Sequence, residues 1–167
     1  MKRLSTPGVR RLGVVAAVVV AAIGALALFL GTSGGSDQGD HRQFTVVARD
    51  SEGTITPPDF GAAPAQGQQA ALDAPVYRRE QKVGRAETIL TITRVSGDGP
   101  EVIVECAVVL PKGQILFNGG MRFADLAEGA AVPVVGGTGA YARAAGTVVL
   151  QSSDPAETSL TFDIWTP

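Results

Sequence analysis

From residue 43 to the C-terminus, the sequence is a succession of short β-prone runs, each ended by a turn. Residues 87–94 (ETILTITR) form the clearest run, since β-branched residues occupy five of its eight positions. About eight such runs follow one another at hairpin-length spacing, and no helical periodicity interrupts them. This spacing is typical of a closed antiparallel barrel or of a β-sandwich. It therefore restricts this part of the chain to an all-β domain.

A glycine-rich loop, residues 136–146 (GGTGAYARAAG), connects two short apolar runs near the C-terminus. Its Gly137-Thr-Gly139 resembles the start of the nucleotide fingerprint G-x-G-x-x-G, but Ala142 stands where the third glycine belongs. The run that follows, residues 147–150, is β-branched and too short for the helix that such a site needs. We therefore predict a strand connection whose glycines serve backbone geometry, with Tyr141 as its cap.

Composition excludes several classes of function. The net charge of −2 does not suggest a nucleic-acid partner. The single cysteine, Cys106, cannot form an intrachain disulfide, and its place within an apolar run predicts a buried, inert thiol. The single histidine, His41, precedes the β-prone runs, so no Ser-His-Asp triad or histidine-based metal site is expected. We predict no cofactor and no metal, and any acid–base chemistry must use carboxylates, tyrosine or backbone groups.

The N-terminal segment, residues 1–31, has a basic start and then twenty residues without a charge, 12–31. A helix of that length spans roughly 30 Å, the thickness of a bilayer core. Two interpretations stay open: an uncleaved transmembrane anchor, or a signal peptide cleaved near Ala25-Leu-Ala27. Both place the rest of the chain outside the cytoplasm, either anchored in the cell membrane or secreted. A Gly/Ser/Asp tether, residues 32–42, leads to the β domain, residues 43–167, and a lid role for residues 34–43 is a lesser hypothesis.

The turn at residues 96–100 predicts a hairpin in which Arg94 lies opposite Glu101, because opposed charges favour this pairing. A one-residue slip would exchange the two faces. The predicted interior face of this hairpin comprises Glu87, Ile89, Thr91, Val102, Val104, Cys106 and Val108. On the next run, Ile115, Phe117, Met121 and Phe123 alternate as the apolar face. This register places Glu87 at or near one mouth of the predicted barrel.

Several short motifs occur in a characteristic order. They are Gly67-Gln68, Val76-Tyr77, Val83-Gly84, a strand with Cys106, the turn of residues 110–114 and the glycine loop. In this order the chain resembles, over about residues 44–165, the β-barrels of allene oxide cyclases and dirigent proteins. The resemblance extends to bacterial relatives that include spirotetronate-type cyclases, which perform [4+2] reactions in antibiotic biosynthesis. Arg78 replaces an aspartate of the family pattern, and no residue matches the catalytic carboxylate of the plant cyclase, so the reaction of that cyclase cannot be transferred.

The resemblance implies an eight-stranded antiparallel β-barrel, here preceded by one N-terminal hydrophobic helix. Such barrels hold an apolar small molecule in the lumen and often form homodimers or trimers. The implied function is that of a cofactor-independent cyclase or isomerase that shapes its substrate and excludes water. The alternative is a non-catalytic extracytoplasmic barrel with a ligand-binding or structural role. A ligand-sized lumen with a carboxylate or tyrosine favours the enzyme, whereas a lumen filled by Phe117, Met121 and Phe123 favours the alternative.

The candidate site residues follow from this register. Glu87 and Tyr77 are the candidate catalytic residues, although Tyr77 also fits a packed barrel position. The candidate ligand-binding residues are Ile89, Thr91, Cys106, Phe117, Met121 and Phe123. Arg143 is expected to be solvated, and Trp165 is expected either to close one end of the barrel or to face a partner subunit.

Overall fold

The computed structural model describes residues 39–57, 59–60 and 62–167, so the predicted leader of residues 1–31 lies outside the described part of the chain. The strands are β1 (Asp40–Arg49), β2 (Thr54–Thr56), β3 (Gln69–Arg78), β4 (Gln81–Ser96), β5 (Gly99–Leu110), β6 (Gly113–Arg122), β7 (Ala130–Gly137), β8 (Ala145–Asp154) and β9 (Glu157–Thr166). Short 3-10 helices cover Asp50–Glu52, Phe123–Ala127 and Gly139–Tyr141. Within the described residues, no helix has the length and apolarity that crossing a membrane requires.

The long strands close into a barrel. Their order is β1-β9-β8-β7-β6-β5-β4-β3, every neighbouring pair is antiparallel, and β1 pairs again with β3. The short strand β2 adds to the other edge of β3. The prediction of an eight-stranded antiparallel barrel is therefore confirmed, and the sandwich is excluded.

The seam between β1 and β3 is the shortest ladder of the barrel, with two residue pairs, Val47–Tyr77 and Ala48–Val76. Side chains on the outer surface reinforce this seam. The Arg49 guanidinium lies 4.1 Å from the centre of the Tyr77 ring. The Tyr77 hydroxyl donates a hydrogen bond of 2.6 Å to Glu52. Arg49 also forms ion pairs with Glu52, Glu80 and Glu157, so one cation links the seam to β9 and to two loops.

Strand β1 begins at Asp40, three residues before the predicted start, so the last part of the predicted tether belongs to the barrel. His41 lies opposite Trp165 on β9, and the two rings stack with their centres 4.3 Å apart. The His41 Nε2 atom lies 2.5 Å from an Asp163 carboxylate oxygen. Trp165 is 54% exposed on the outer surface, so it does not close an end of the barrel. Of the segment proposed as a lid, residues 40–43 are strand, and residues 34–38 lie outside the described part.

The barrel interior has two unlike halves. The packed half, near the glycine loop, contains a chain of aromatic rings: Phe44 lies 5.1 Å from Phe162 and 6.3 Å from Tyr141, between ring centres. Phe117 meets Phe162 edge to face at 6.3 Å. In the opposite half, which we call the open half, three inward positions carry only alanine: Ala48, Ala74 and Ala86. Small side chains on three different strands leave space there that no larger neighbour fills.

The glycine loop connects β7 to β8, as the sequence predicts, and it closes the packed half. Gly139 has a φ of +59°, and a Cβ there would lie 2.3 Å from the Lys112 carbonyl oxygen. The loop therefore packs directly on the β5–β6 turn, which a side chain would prevent. Tyr141 is 8% exposed and lies in the core, and Arg143 is exposed to solvent, so both predictions are confirmed.

Candidate functional site

The predicted pairing of Arg94 with Glu101 is present, but the predicted interior face of β4 was wrong. Ile92 lies opposite Val102 and Arg94 lies opposite Glu101, so Thr93 is an extra, unpaired residue in β4. A bulge of this kind shifts the alternation by one residue, which exchanges the two faces of the strand beyond it. The inward residues of β4 are Ala86, Thr88, Leu90 and Ile92. The predicted face of β5 is correct, because Val102, Val104, Cys106 and Val108 are buried.

The bulge places three candidate site residues on the outer surface. Glu87 is exposed and forms an ion pair with Arg85. Ile89 is 40% exposed, and the Thr91 hydroxyl accepts a hydrogen bond of 3.1 Å from Gln69. Tyr77 also lies outside, at the β1–β3 seam. Neither candidate catalytic side chain therefore faces the lumen.

The other candidate ligand-binding residues line a cavity in the open half. Its volume is about 650 Å³, within the range of small-molecule sites. Phe117 forms its floor, and Met121 and Phe123 lie along its wall and mouth. The further apolar residues that line it include Leu72, Leu90, Val104, Leu126, Leu150 and Leu160. The predicted positions of Cys106, Phe117 and Met121 are therefore confirmed. Phe123 also lines the cavity, but it begins the 3-10 helix after β6 and is 41% exposed, so its predicted place on the strand was wrong. Ligand binding by these residues stays a prediction.

Asp50 is the residue at the cavity rim that the sequence interpretation missed. Phe44, Val46 and Ala48 point inward on β1, and Asp50 continues this alternation just beyond the strand. The Thr158 hydroxyl, on the lumen face of β9, donates a hydrogen bond of 2.8 Å to its carboxylate. Burial raises the pKa of Asp50 above its usual range, against the opposing effect of the Thr158 hydrogen bond. A carboxyl with a raised pKa at the mouth of an apolar cavity is a candidate hydrogen-bond or proton donor.

Cys106 contributes a neutral thiol to the cavity wall. The Thr88 hydroxyl donates a hydrogen bond of 3.2 Å to its sulfur. Burial raises the pKa of Cys106 to about 12. The thiolate, which is the nucleophilic form, is therefore scarce at neutral pH, and the prediction of a buried thiol is confirmed.

A second concavity, of about 670 Å³, lies on the outer face of the sheet and includes the side chains of Glu87 and Ile89. It is more exposed to solvent than the lumen and carries the carboxylates Asp73 and Glu105 beside Leu116 and Val135. An apolar ligand loses less contact with water there than in the lumen, so we take the lumen as the candidate site. In the described part of the chain, no group of three or more His, Cys, Asp or Glu side chains is arranged to hold a metal ion.

Solved structures with the same barrel fold are known, although no protein-family model matches the sequence and no curated protein is significantly similar to it. A pyocyanin demethylase is 21% identical, with a TM-score of 0.60, over 72% of this chain and 100% of its own. An exo-specific intermolecular Diels-Alderase is 17% identical, with a TM-score of 0.59, over 75% of this chain and 98% of its own. A pterocarpan synthase dirigent protein is 14% identical, with a TM-score of 0.63, over 87% of this chain and 99% of its own. The predicted resemblance to the dirigent and cyclase barrels is thus confirmed for the fold.

Proposed function

We propose that this protein binds an apolar small molecule in the open half of its barrel and acts on it as a cyclase or isomerase by confinement. The observation that carries the proposal is the combination of one apolar, ligand-sized lumen with one partly buried carboxyl, Asp50, at its rim. The three apolar residues that would fill the lumen of a purely structural barrel line the cavity instead. Phe117 forms the floor, and Met121 and Phe123 lie at its side and mouth.

Confinement is effective because it removes conformational freedom before the reaction begins. A flexible chain that enters the lumen must adopt a compact shape, and the entropy lost in folding it no longer adds to the barrier. The apolar wall also excludes water, which strengthens every remaining polar interaction with the substrate. Neither effect needs a nucleophile, which suits a cavity whose thiol is neutral.

Asp50 supplies the polar contribution at the rim. In its acid form the carboxyl donates a hydrogen bond to a carbonyl oxygen of the substrate and withdraws electron density from a conjugated alkene. The Thr158 hydroxyl holds the carboxyl in place, so its orientation is set before the substrate arrives. The raised pKa keeps this acid form populated to higher pH than an exposed aspartate would.

The reaction class that best fits is an intramolecular [4+2] cyclisation, and a cyclase that shares the fold catalyses a [4+2] cycloaddition. In it the ends of a diene bond to the two carbons of an alkene, and the π electrons of both supply the new σ bonds. The product is an isomer of the substrate, so no proton, electron or cofactor is consumed. Shape and one hydrogen bond are the only demands on the protein.

The test uses a linear triene that carries an enone as its dienophile, because cyclisation destroys the diene and its ultraviolet absorbance. We expect the full-length chain to accelerate the loss of absorbance over buffer, and Asp50→Ala to reduce that acceleration. Glu87→Ala, which removes an outer-surface carboxylate, is the matched control and should not change the rate. Tight binding of the triene without acceleration would contradict the catalytic proposal and support the alternative, a ligand-binding barrel.

We further propose that the leader places the barrel outside the cytoplasm, on the basis of the uncharged run of residues 12–31 and its basic flank. An alkaline phosphatase fused to the C-terminus of the full chain is active only after export, and it should be active here. N-terminal sequencing of the mature protein then separates the anchor, which keeps Met1 or Lys2, from the cleaved signal. Inactive phosphatase in the cytoplasm would contradict the proposal.

The homodimer or trimer stays a prediction, for which native mass spectrometry is the direct measurement.

A further inference from the structure

Thr88 is the middle one of three inward residues on β4 that line the cavity, between Ala86 and Leu90. It is half-buried, since the space in front of it is the lumen. Among the described residues, four other hydroxyl residues line the cavity, and they lie in the 3-10 helix after β1, in β2 and near the ends of β8 and β9: Ser51, Thr54, Ser152 and Thr158. On β4, β5 and β6, Thr88 and its cross-strand neighbour Cys106 are therefore the polar residues among cavity-lining positions that are otherwise apolar.

The present partner of the Thr88 hydroxyl is a weak one. The Thr88 hydroxyl donates to the Cys106 sulfur, with 3.2 Å between oxygen and sulfur. A thiol sulfur is a poor hydrogen-bond acceptor. A hydroxyl that turned to a carbonyl oxygen in the lumen would exchange this weak bond for a stronger O–H···O bond. The exchange leaves no charged group unpaired, because burial keeps Cys106 neutral. The hydroxyl is thus satisfied when the lumen is empty and available when a carbonyl enters.

We propose that Thr88 is a specificity-determining residue, which selects substrates with a carbonyl oxygen in the middle of an otherwise apolar body. This inference rests on the proposed lumen site and adds the chemical class of its substrate. An all-hydrocarbon ligand gains apolar contact in the lumen but no hydrogen bond from Thr88. A ketone of the same shape gains both, so the residue discriminates between molecules that the apolar wall alone treats alike.

The experiment measures the binding of two probes to the full-length chain by equilibrium dialysis. Fluorenone and fluorene have the same rigid tricyclic skeleton, and only fluorenone carries a carbonyl. The variants are Thr88→Val, which removes the hydroxyl at constant shape, and Thr88→Ser, which keeps it. Thr91→Val is the matched control, because it is the same substitution on the same strand at a position that faces outward. Asp50→Ala tests whether the rim, and not Thr88, recognises the carbonyl.

We expect the wild-type chain to bind fluorenone more tightly than fluorene, and Thr88→Val to weaken fluorenone binding about fivefold, which corresponds to about 1 kcal/mol. Fluorene binding should not change, and Thr88→Ser and Thr91→Val should keep the preference for the ketone. An unchanged ratio of the two affinities in Thr88→Val would overturn the role of Thr88 but leave the lumen site standing. A wild-type chain that binds neither probe would overturn the lumen site as well.

Discussion

Filling the open half with a larger side chain should stabilise the barrel, whereas the same change in the packed half should destabilise it. Leu72→Phe enlarges a half-buried residue that lines the cavity. Ile115→Phe enlarges a residue of the packed half that is 0% exposed. Both substitutions add the same number of carbon atoms to an inward side chain of a strand. The only difference between them is whether empty space is there to receive the ring.

The magnitudes follow from the two environments. Each substitution buries about three more carbon atoms, and at ~0.8 kcal/mol for each buried CH₂ the gain is about 2 kcal/mol where a cavity accepts them. Where no cavity exists, overpacking costs about 1–3 kcal/mol. The two variants should therefore change the free energy of unfolding in opposite directions.

The assay is thermal or urea unfolding of the full-length chain at one pH, with fluorenone binding measured on the same samples. A gain of about 2 kcal/mol raises the melting temperature of a chain of this length by about 4–8 °C. Leu72→Phe should show this rise and should also weaken fluorenone binding, because the ring occupies the site. If Leu72→Phe and Ile115→Phe lost stability equally, the lumen would be packed throughout, and the proposed site would be wrong.

Three further predictions concern single groups. The folded-state pKa of Asp50 is raised, so its contribution to stability is fully present below the unfolded pKa and is lost as the pH rises through the folded pKa. We therefore expect Asp50→Asn to raise the free energy of unfolding above that of wild type by more at pH 8 than at pH 4, as measured by urea titration at both pH values. A difference that does not depend on pH would contradict the raised pKa of Asp50. Iodoacetamide should label Cys106 in the folded chain about a hundredfold or more slower than in the unfolded chain at pH 8, by mass spectrometry. Rapid labelling of the folded chain would show that the thiol is accessible and ionised. Glu87→Gln should leave the affinity for fluorenone unchanged, and a loss of affinity would indicate that the Glu87 side chain faces the lumen.

The sequence predicted the barrel, the Arg94–Glu101 pairing and the inward positions of Cys106, Phe117 and Met121, because period-two alternation and turn chemistry are local signals. It failed on β4, since the bulge at Thr93 carries no local signal in a run of threonines and isoleucines. Before Thr93 the residues of β4 alternate as predicted, but the bulge turns the opposite set of side chains inward. The prediction therefore assigned Glu87 to the lumen, where the structure has Thr88. Only the pairing of β4 with β5 along its whole length decides between these two faces.

Asp50 was missed for a different reason, since a signal for it exists. Phe44, Val46 and Ala48 form an inward series on β1, and the next position of that series is an aspartate. As a loop residue, Asp50 is one acid among many. As the next position of this inward series, it is a carboxyl on an apolar face. A carboxyl in such a position has to be desolvated, which raises its pKa.

The bulge and the alanine positions together determine what the lumen can do. Without the bulge, β4 would present Glu87 to the cavity, and an ionised carboxylate deep in an apolar wall would favour a cationic ligand or basic catalysis. With it, the wall presents the Thr88 hydroxyl, and the carboxyl of the site stays at the rim, on Asp50. Ala48, Ala74 and Ala86 then leave room for a substrate above the Phe117 floor. A lumen with neutral polar groups on β4 and β5 and the half-buried Asp50 at its mouth can fold a substrate and polarise its carbonyl oxygens. Because its thiol stays neutral, it offers no ready nucleophile, and this favours a substrate that already carries the reacting bonds.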